Sequence, residues 1–143
     1  MVNIYLDISG SMNEMGKNSA QLYLAKSIED YCNFKGINTA FFTLDGAIIK
    51  SLISIKSLND IKLDIKNIKP NSILLSDGLF HCKEGSIFDM AISIGIDSDN
   101  INLRKISTKV FTSDNVLAGL EYLLYTNNLI NSSINEKEDE DEW

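Results

Sequence analysis

Apolar and polar positions come in short blocks along this chain, and most apolar blocks close on small or polar residues. Val2-Asn3-Ile4-Tyr5-Leu6 predicts a brief strand that gives way at once to the polar loop Asp7-Ile8-Ser9-Gly10-Ser11. Over residues 18–34, Leu24, Ala25, Ile28, Tyr31 and Cys32 recur at helical spacing, which predicts a helix with one buried stripe. Lys35-Gly36 stops it. Residues 37–43 and 47–52 are β-prone runs on either side of Leu44-Asp45-Gly46, and an Asp-Gly pair in that position predicts a hairpin. Leu58, Ile61, Ile65 and Ile68 predict a short amphipathic helix closed by Pro70. Residues 72–75 form a compact apolar run ending in Ser76-Asp77-Gly78. Residues 90–96 alternate around Ile92, Ile94 and Ile96, and a further strand is expected over 106–111. Asp114 is the expected N-cap of a last helix with Leu117, Leu120 and Leu124 on one side.

The resulting order, β-α-β-β-α-β-β-β-α, argues for an α/β layer structure with a mostly parallel sheet, the hairpin adding one antiparallel strand at an edge. With 143 residues the chain is one domain long, and that length buries a core without staples. Residues 1–130 are expected to form the domain. Residues 131–143 turn polar and then acidic with no apolar period, the pattern of a disordered tail.

Charge sharpens that division. The last nine residues hold six acids and one base, a net of −5 out of −7, so residues 1–134 carry only −2. A near-neutral body without a Lys/Arg cluster lacks the footprint of a nucleic-acid binder. No apolar run approaches membrane-spanning length. The N-terminus has no secretory-signal pattern, so Cys32 and Cys82 are expected to be reduced thiols and the protein cytoplasmic. Cys32 falls on the helical stripe and is expected in the core.

Two apolar strands end in small, polar, acidic loops. In an open α/β sheet ligands bind beyond the carboxyl ends of the strands, where strand order reverses. If the first strand and the one at 72–75 are neighbours there, Asp7, Ser9, Ser11 and Asp77 converge. Alternate positions of an extended loop send side chains the same way, and Gly10 permits a tight turn. Two carboxylates and two hydroxyls are hard oxygen donors, suited to Mg²⁺, Mn²⁺ or Ca²⁺ rather than Zn²⁺. The set leaves coordination positions open to a carboxylate from a partner.

Asp7-Ile8-Ser9-Gly10-Ser11-Met12 resembles the Asp-x-Ser-x-Ser motif of von Willebrand factor A domains. Ile73-Leu74-Leu75-Ser76-Asp77-Gly78 is similar to that family's fourth strand, and Ala91-Ile92-Ser93-Ile94-Gly95-Ile96-Asp97 to its fifth. Leu103-Arg104-Lys105-Ile106-Ser107 and Val110-Phe111 resemble the helix and sixth strand that follow. The resemblance runs in order over about residues 2–126. It implies a Rossmann-like sheet of order 3-2-1-4-5-6 and a metal-ion-dependent adhesion site (MIDAS) with Asp7, Ser9, Ser11 and Asp77 as metal ligands. It also implies protein recruitment rather than catalysis, for instance alongside an AAA ATPase or in a stress or defence system. The chain departs from the family in two places. Residues 58–68 pass through Pro70-Asn71 straight into the next strand, so the loop bearing the family's Thr ligand and its third helix are missing. The stretch from Gly78 to Asp89 is too short for the usual fourth helix.

The expected function is therefore that of an adaptor binding an acidic group of another protein through a divalent metal. The alternative is a metal-independent scaffold or assembly subunit working through helical faces or the Trp143-ending tail. That tail has several readings: a solvating segment, a linear motif for a basic partner, or a source of an acid completing the metal shell, its own or that of a second copy. Phe80 and Phe88 either rim the metal face or close the side of the sheet. His81-Cys82 reads as loop, with a single His and no base-orienting group. A phosphotransferase of the haloacid-dehalogenase type would need a second Asp where Ser9 stands, so no enzyme is expected.

Overall fold

The computed structural model describes residues 1–52, 68–79, 87–127 and 129. Strands β1 (Val2–Leu6), β2 (Thr39–Thr43), β3 (Ile48–Ile49), β4 (Ser72–Ser76), β5 (Met90–Ser93) and β6 (Val110–Thr112) form one sheet in the order β3-β2-β1-β4-β5-β6. All neighbours are parallel except β2 and β3, which pair antiparallel at the edge through Phe41–Ile49 and Phe42–Ile48. The described residues thus form the expected Rossmann-like α/β sheet with its third strand reversed. The hairpin turns where Asp45-Gly46 predicts: Gly46 takes φ +89 and its N–H donates to Thr43 O at 3.0 Å.

Three helices flank the sheet among the described residues: α1 (Lys17–Phe34), α2 (Asn100–Ile106) and α3 (Val116–Thr126). The pleat divides the core in two. Ile4, Leu6, Ile73, Leu75 and Ile92 face α1 and α3, meeting Leu24, Ala25, Ile28, Cys32, Leu120 and Leu124. Tyr5, Leu74 and Ala91 face the other way, toward Leu103 and Ile106 of α2 and the ring of Phe88. Tyr5 stacks on Phe42 at 5.0 Å and meets Phe88 edge-on at 5.2 Å. Phe88 is fully buried, so of its two readings it closes the side of the sheet. Cys32 is likewise in the core, as its place on the α1 stripe predicts.

Three boundaries differ from expectation, each for a local reason. The strand expected over residues 90–96 stops at Ser93, whose partner Thr112 ends β6; Ile94 is still buried, but Gly95 turns at φ +94 and leaves Ile96 94% exposed. Ile106 ends α2 rather than starting a strand: the helix opens on Asp99, whose carboxylate accepts from Asn102 N, and buries Leu103 and Ile106 together before Ser107 turns extended. Asp114 lies inside a 3-10 turn (Ser113–Asn115), so α3 starts one residue later at Val116, with Leu117 exposed and Leu120 and Leu124 buried. The predicted helix at 58–68, Phe80, His81, Cys82 and the tail at 131–143 lie outside the described residues or almost wholly so.

Candidate functional site

β1 and β4 are hydrogen-bonded neighbours, with Leu6 opposite Leu75, and the chain leaves β1 for β2 on its other side. This is the point of strand-order reversal, and it places Asp7 and Asp77, each one residue past its strand, side by side at the carboxyl edge. Both carboxylates are completely buried. Ser9 is also buried, and Ser11, in the 3-10 turn Gly10–Asn13, is half-buried with its Oγ 3.5 Å from Ser9 Oγ. The four residues singled out in the sequence therefore belong to one edge.

Each carboxylate is held on both oxygens. Ser9 N donates to Asp7 Oδ1 at 2.8 Å, and Ser76 Oγ donates to Asp7 Oδ2 at 2.6 Å. Ser76 Oγ in turn accepts from Gly78 N at 2.9 Å, so the two strand ends are laced together through one hydroxyl. Leu79 N donates to Asp77 Oδ1 at 3.0 Å. Burial raises the Asp7 carboxyl above its ordinary value; the hydrogen bonds from Ser76 and Ser9 oppose that rise, and the nearby charge of Asp77 adds to it.

The fourth of these oxygens goes to a residue not anticipated from the sequence. Lys17, the first residue of α1, sends Nζ to Asp77 Oδ2 at 3.0 Å and to Asp97 Oδ1 at 2.8 Å, with its own side chain only 1% exposed. Burial draws the ammonium's pKa down, but the hydrogen bonds it donates to Asp97 and Asp77 more than offset this, so the group sits above its ordinary value. Asp97, on the exposed end of this chain of charges, is held below the usual carboxylate range by Lys17. Gly95 covers the lysine stem so closely that a Cβ there would lie 2.8 Å from Lys17 Cε.

One turn along α1, Gln21 is also fully buried. Its Oε1 accepts from Asp7 N at 2.9 Å and its Nε2 donates to Asp7 O at 2.9 Å, a two-point clasp on the first-loop backbone. Lys17 and Gln21 extend the stripe of Leu24, Ala25, Ile28 and Cys32 toward the N-terminus. That extension was the available signal: polar residues on the inner face of an amphipathic helix must find partners inside. Ser76 and Asp97, next to the strand ends, carried no comparable periodic cue.

As a donor set, Ser9, Ser11 and the free lone pairs of Asp7 suit a hard cation. At Asp77 the fit is different, because an ammonium already lies on one of its carboxylate oxygens. No group of three or more His, Cys, Asp or Glu is arranged to hold a metal among the described residues. Around the edge stand the exposed apolar side chains of Met15, just before α1, Leu79, just after Asp77, and Ile96. No helix among the described residues is long and apolar enough to cross a membrane. Comparison of the sequence with protein-family models and with curated proteins finds no match.

Proposed function

We propose that this chain is a compact, cytoplasmic von Willebrand factor A-like adaptor that recruits another protein through the carboxyl edge of its sheet. The observation that carries this reading is the pairing of Asp7 and Asp77 at the β1–β4 reversal point, with Ser9 and Ser11 beside them. Buried, fully hydrogen-bonded carboxylates at that place are a costly arrangement to maintain for stability alone. The exposed Met15, Leu79 and Ile96 beside them supply apolar contact area for a partner. In the metal-bridged form, Asp7, Ser9, Ser11 and Asp77 hold Mg²⁺, Mn²⁺ or Ca²⁺ and an acidic side chain of the partner completes the shell. The ammonium of Lys17 on Asp77 favours a second form, in which the same face recruits without metal.

Capture of partners by the full chain, with and without EDTA, tests the reading. Ser11→Arg places a long charged side chain on the edge and should abolish capture, while Phe34→Arg, on the exposed far end of α1, should leave it intact. EDTA sensitivity supports the metal-bridged form. Capture that survives Ser11→Arg but is lost with residues 135–143 or with Phe34→Arg assigns recruitment to the tail or a helical face instead.

A further inference from the structure

We infer that Lys17 is a built-in cation that holds Asp77 in place of a divalent ion and thereby decides whether this site takes metal. The inference rests on the reading of the β1–β4 edge as a cation-centred binding face.

Three observations carry it. The first is position: Lys17 Nζ is 3.0 Å from Asp77 Oδ2, on the acid that the donor set would offer to a metal. The second is enclosure. The lysine side chain is 1% exposed, Gly95 lies against its Cε and Cδ, and Asp97 holds its outer side at 2.8 Å. A Cβ at position 95 would lie 2.8 Å from Lys17 Cε, so the loop after β5 closes over the lysine stem. The third is charge. Asp77 has no contact with solvent, and a buried carboxylate needs a positive partner. Lys17 supplies one permanently. A dication on the same oxygen would stand against the ammonium at a few ångströms inside the protein, where like charges repel strongly. The two cations therefore exclude one another, and the tethered one is always present.

The consequence is a face of fixed charge that neither Mg²⁺ supply nor a chelator alters. The half-buried Ser11 hydroxyl stands at its rim, within reach of a partner.

Mn²⁺ titration of the full-length protein, followed by electron paramagnetic resonance, tests this on the wild type, Lys17→Met and Lys17→Ala. Methionine keeps the buried stem and removes the charge. The wild type should take up no Mn²⁺ at millimolar concentration. Lys17→Met or Lys17→Ala should bind one ion, about tenfold tighter or more, and lose it again when Asp7→Asn is added. If the charge-free variants do not fold alone, Mn²⁺ should restore their folding, read by circular dichroism, since an ion bound only by the native state stabilises it. Equal Mn²⁺ binding by wild type and variants overturns the inference while supporting the metal-bridged form. Absence of binding or metal-driven folding in every variant overturns the inference and the metal-bridged form together, and leaves the Ser11→Arg capture experiment to decide on the face itself.

Discussion

Lys17 and Asp77, sixty residues apart in sequence, meet at 3.0 Å with both side chains withdrawn from water. A buried pair of this kind adds little over a well-packed apolar pair, but removing one member leaves an uncompensated charge and costs about 3–5 kcal/mol. Lys17→Met should therefore lower unfolding stability by about that amount in metal-free buffer. Adding Asp77→Asn should recover more than half of the loss. A double-mutant cycle by urea denaturation checks it: additive losses would mean that the pair is not coupled.

Gln21→Leu should destabilise by about 1–3 kcal/mol, because the Asp7 carbonyl loses the donor it has inside the protein. Asp7 N keeps Leu75 O at 3.1 Å, which places the effect at one lost bond rather than two. Amide hydrogen exchange should quicken first over residues 7–12. Uniform quickening across the sheet would place the role of Gln21 in global packing instead.

At Gly78 and Gly95 a positive φ coincides with a close neighbour. At Gly78, φ is +74 and an added Cβ would lie 2.6 Å from the Asp99 carbonyl oxygen, a backbone atom that anchors α2. Gly78→Ala should cost about 2 kcal/mol or more, from left-handed backbone and contact together. Gly95→Ala meets the movable lysine stem instead and should cost less. Thermal denaturation of the two variants gives the order, and the reverse order would contradict this account.

Asp7 and Lys17 carry opposite charges, yet both contributions decline as pH rises. Burial raises Asp7 above its unfolded value of 3.8, so the folded state favours the protonated acid. Its contribution is most favourable below 3.8 and declines as pH rises through the folded value. Asp7→Asn removes this dependence, so its stability relative to wild type should rise between pH 4 and pH 7; a flat or falling difference counts against it. Lys17 is raised above 10.5, so its contribution persists to at least that pH and is lost only as pH climbs through the folded value.

Cys32 lies in the core with its thiol pushed up to about 11 by burial. In a Cys82→Ser background the native protein should not react with Ellman's reagent at pH 8, and reaction should appear with unfolding. Rapid native reaction would show that α1 opens locally.

The sheet was legible wherever a strand is buried on both faces. Val2–Leu6 and Ser72–Ser76 are each built on a compact apolar run, and the small-polar residues after each mark where the ladder ends. Asp7 and Asp77 were legible for the same reason: each is the first charged residue beyond such a strand. The α2 region was less clear, because a seven-residue helix offers only Leu103 and Ile106 to the core, too few points for a period. The stripe of α1 marks Lys17 as inward-facing but not what it meets. Its chemistry depends on two acids that approach it from β4 and from the loop after β5, and no local pattern reports a contact across sixty or eighty residues.

Gln21 holds the Asp7 backbone, and Lys17, one turn earlier on the same helix, holds the Asp77 carboxylate. The two acids at the edge are thus moored to a single rod. A push or tilt delivered to the outer side of α1, where Tyr23 and Phe34 stand exposed, would reach both moorings at once. One helix thus positions both acids of the edge.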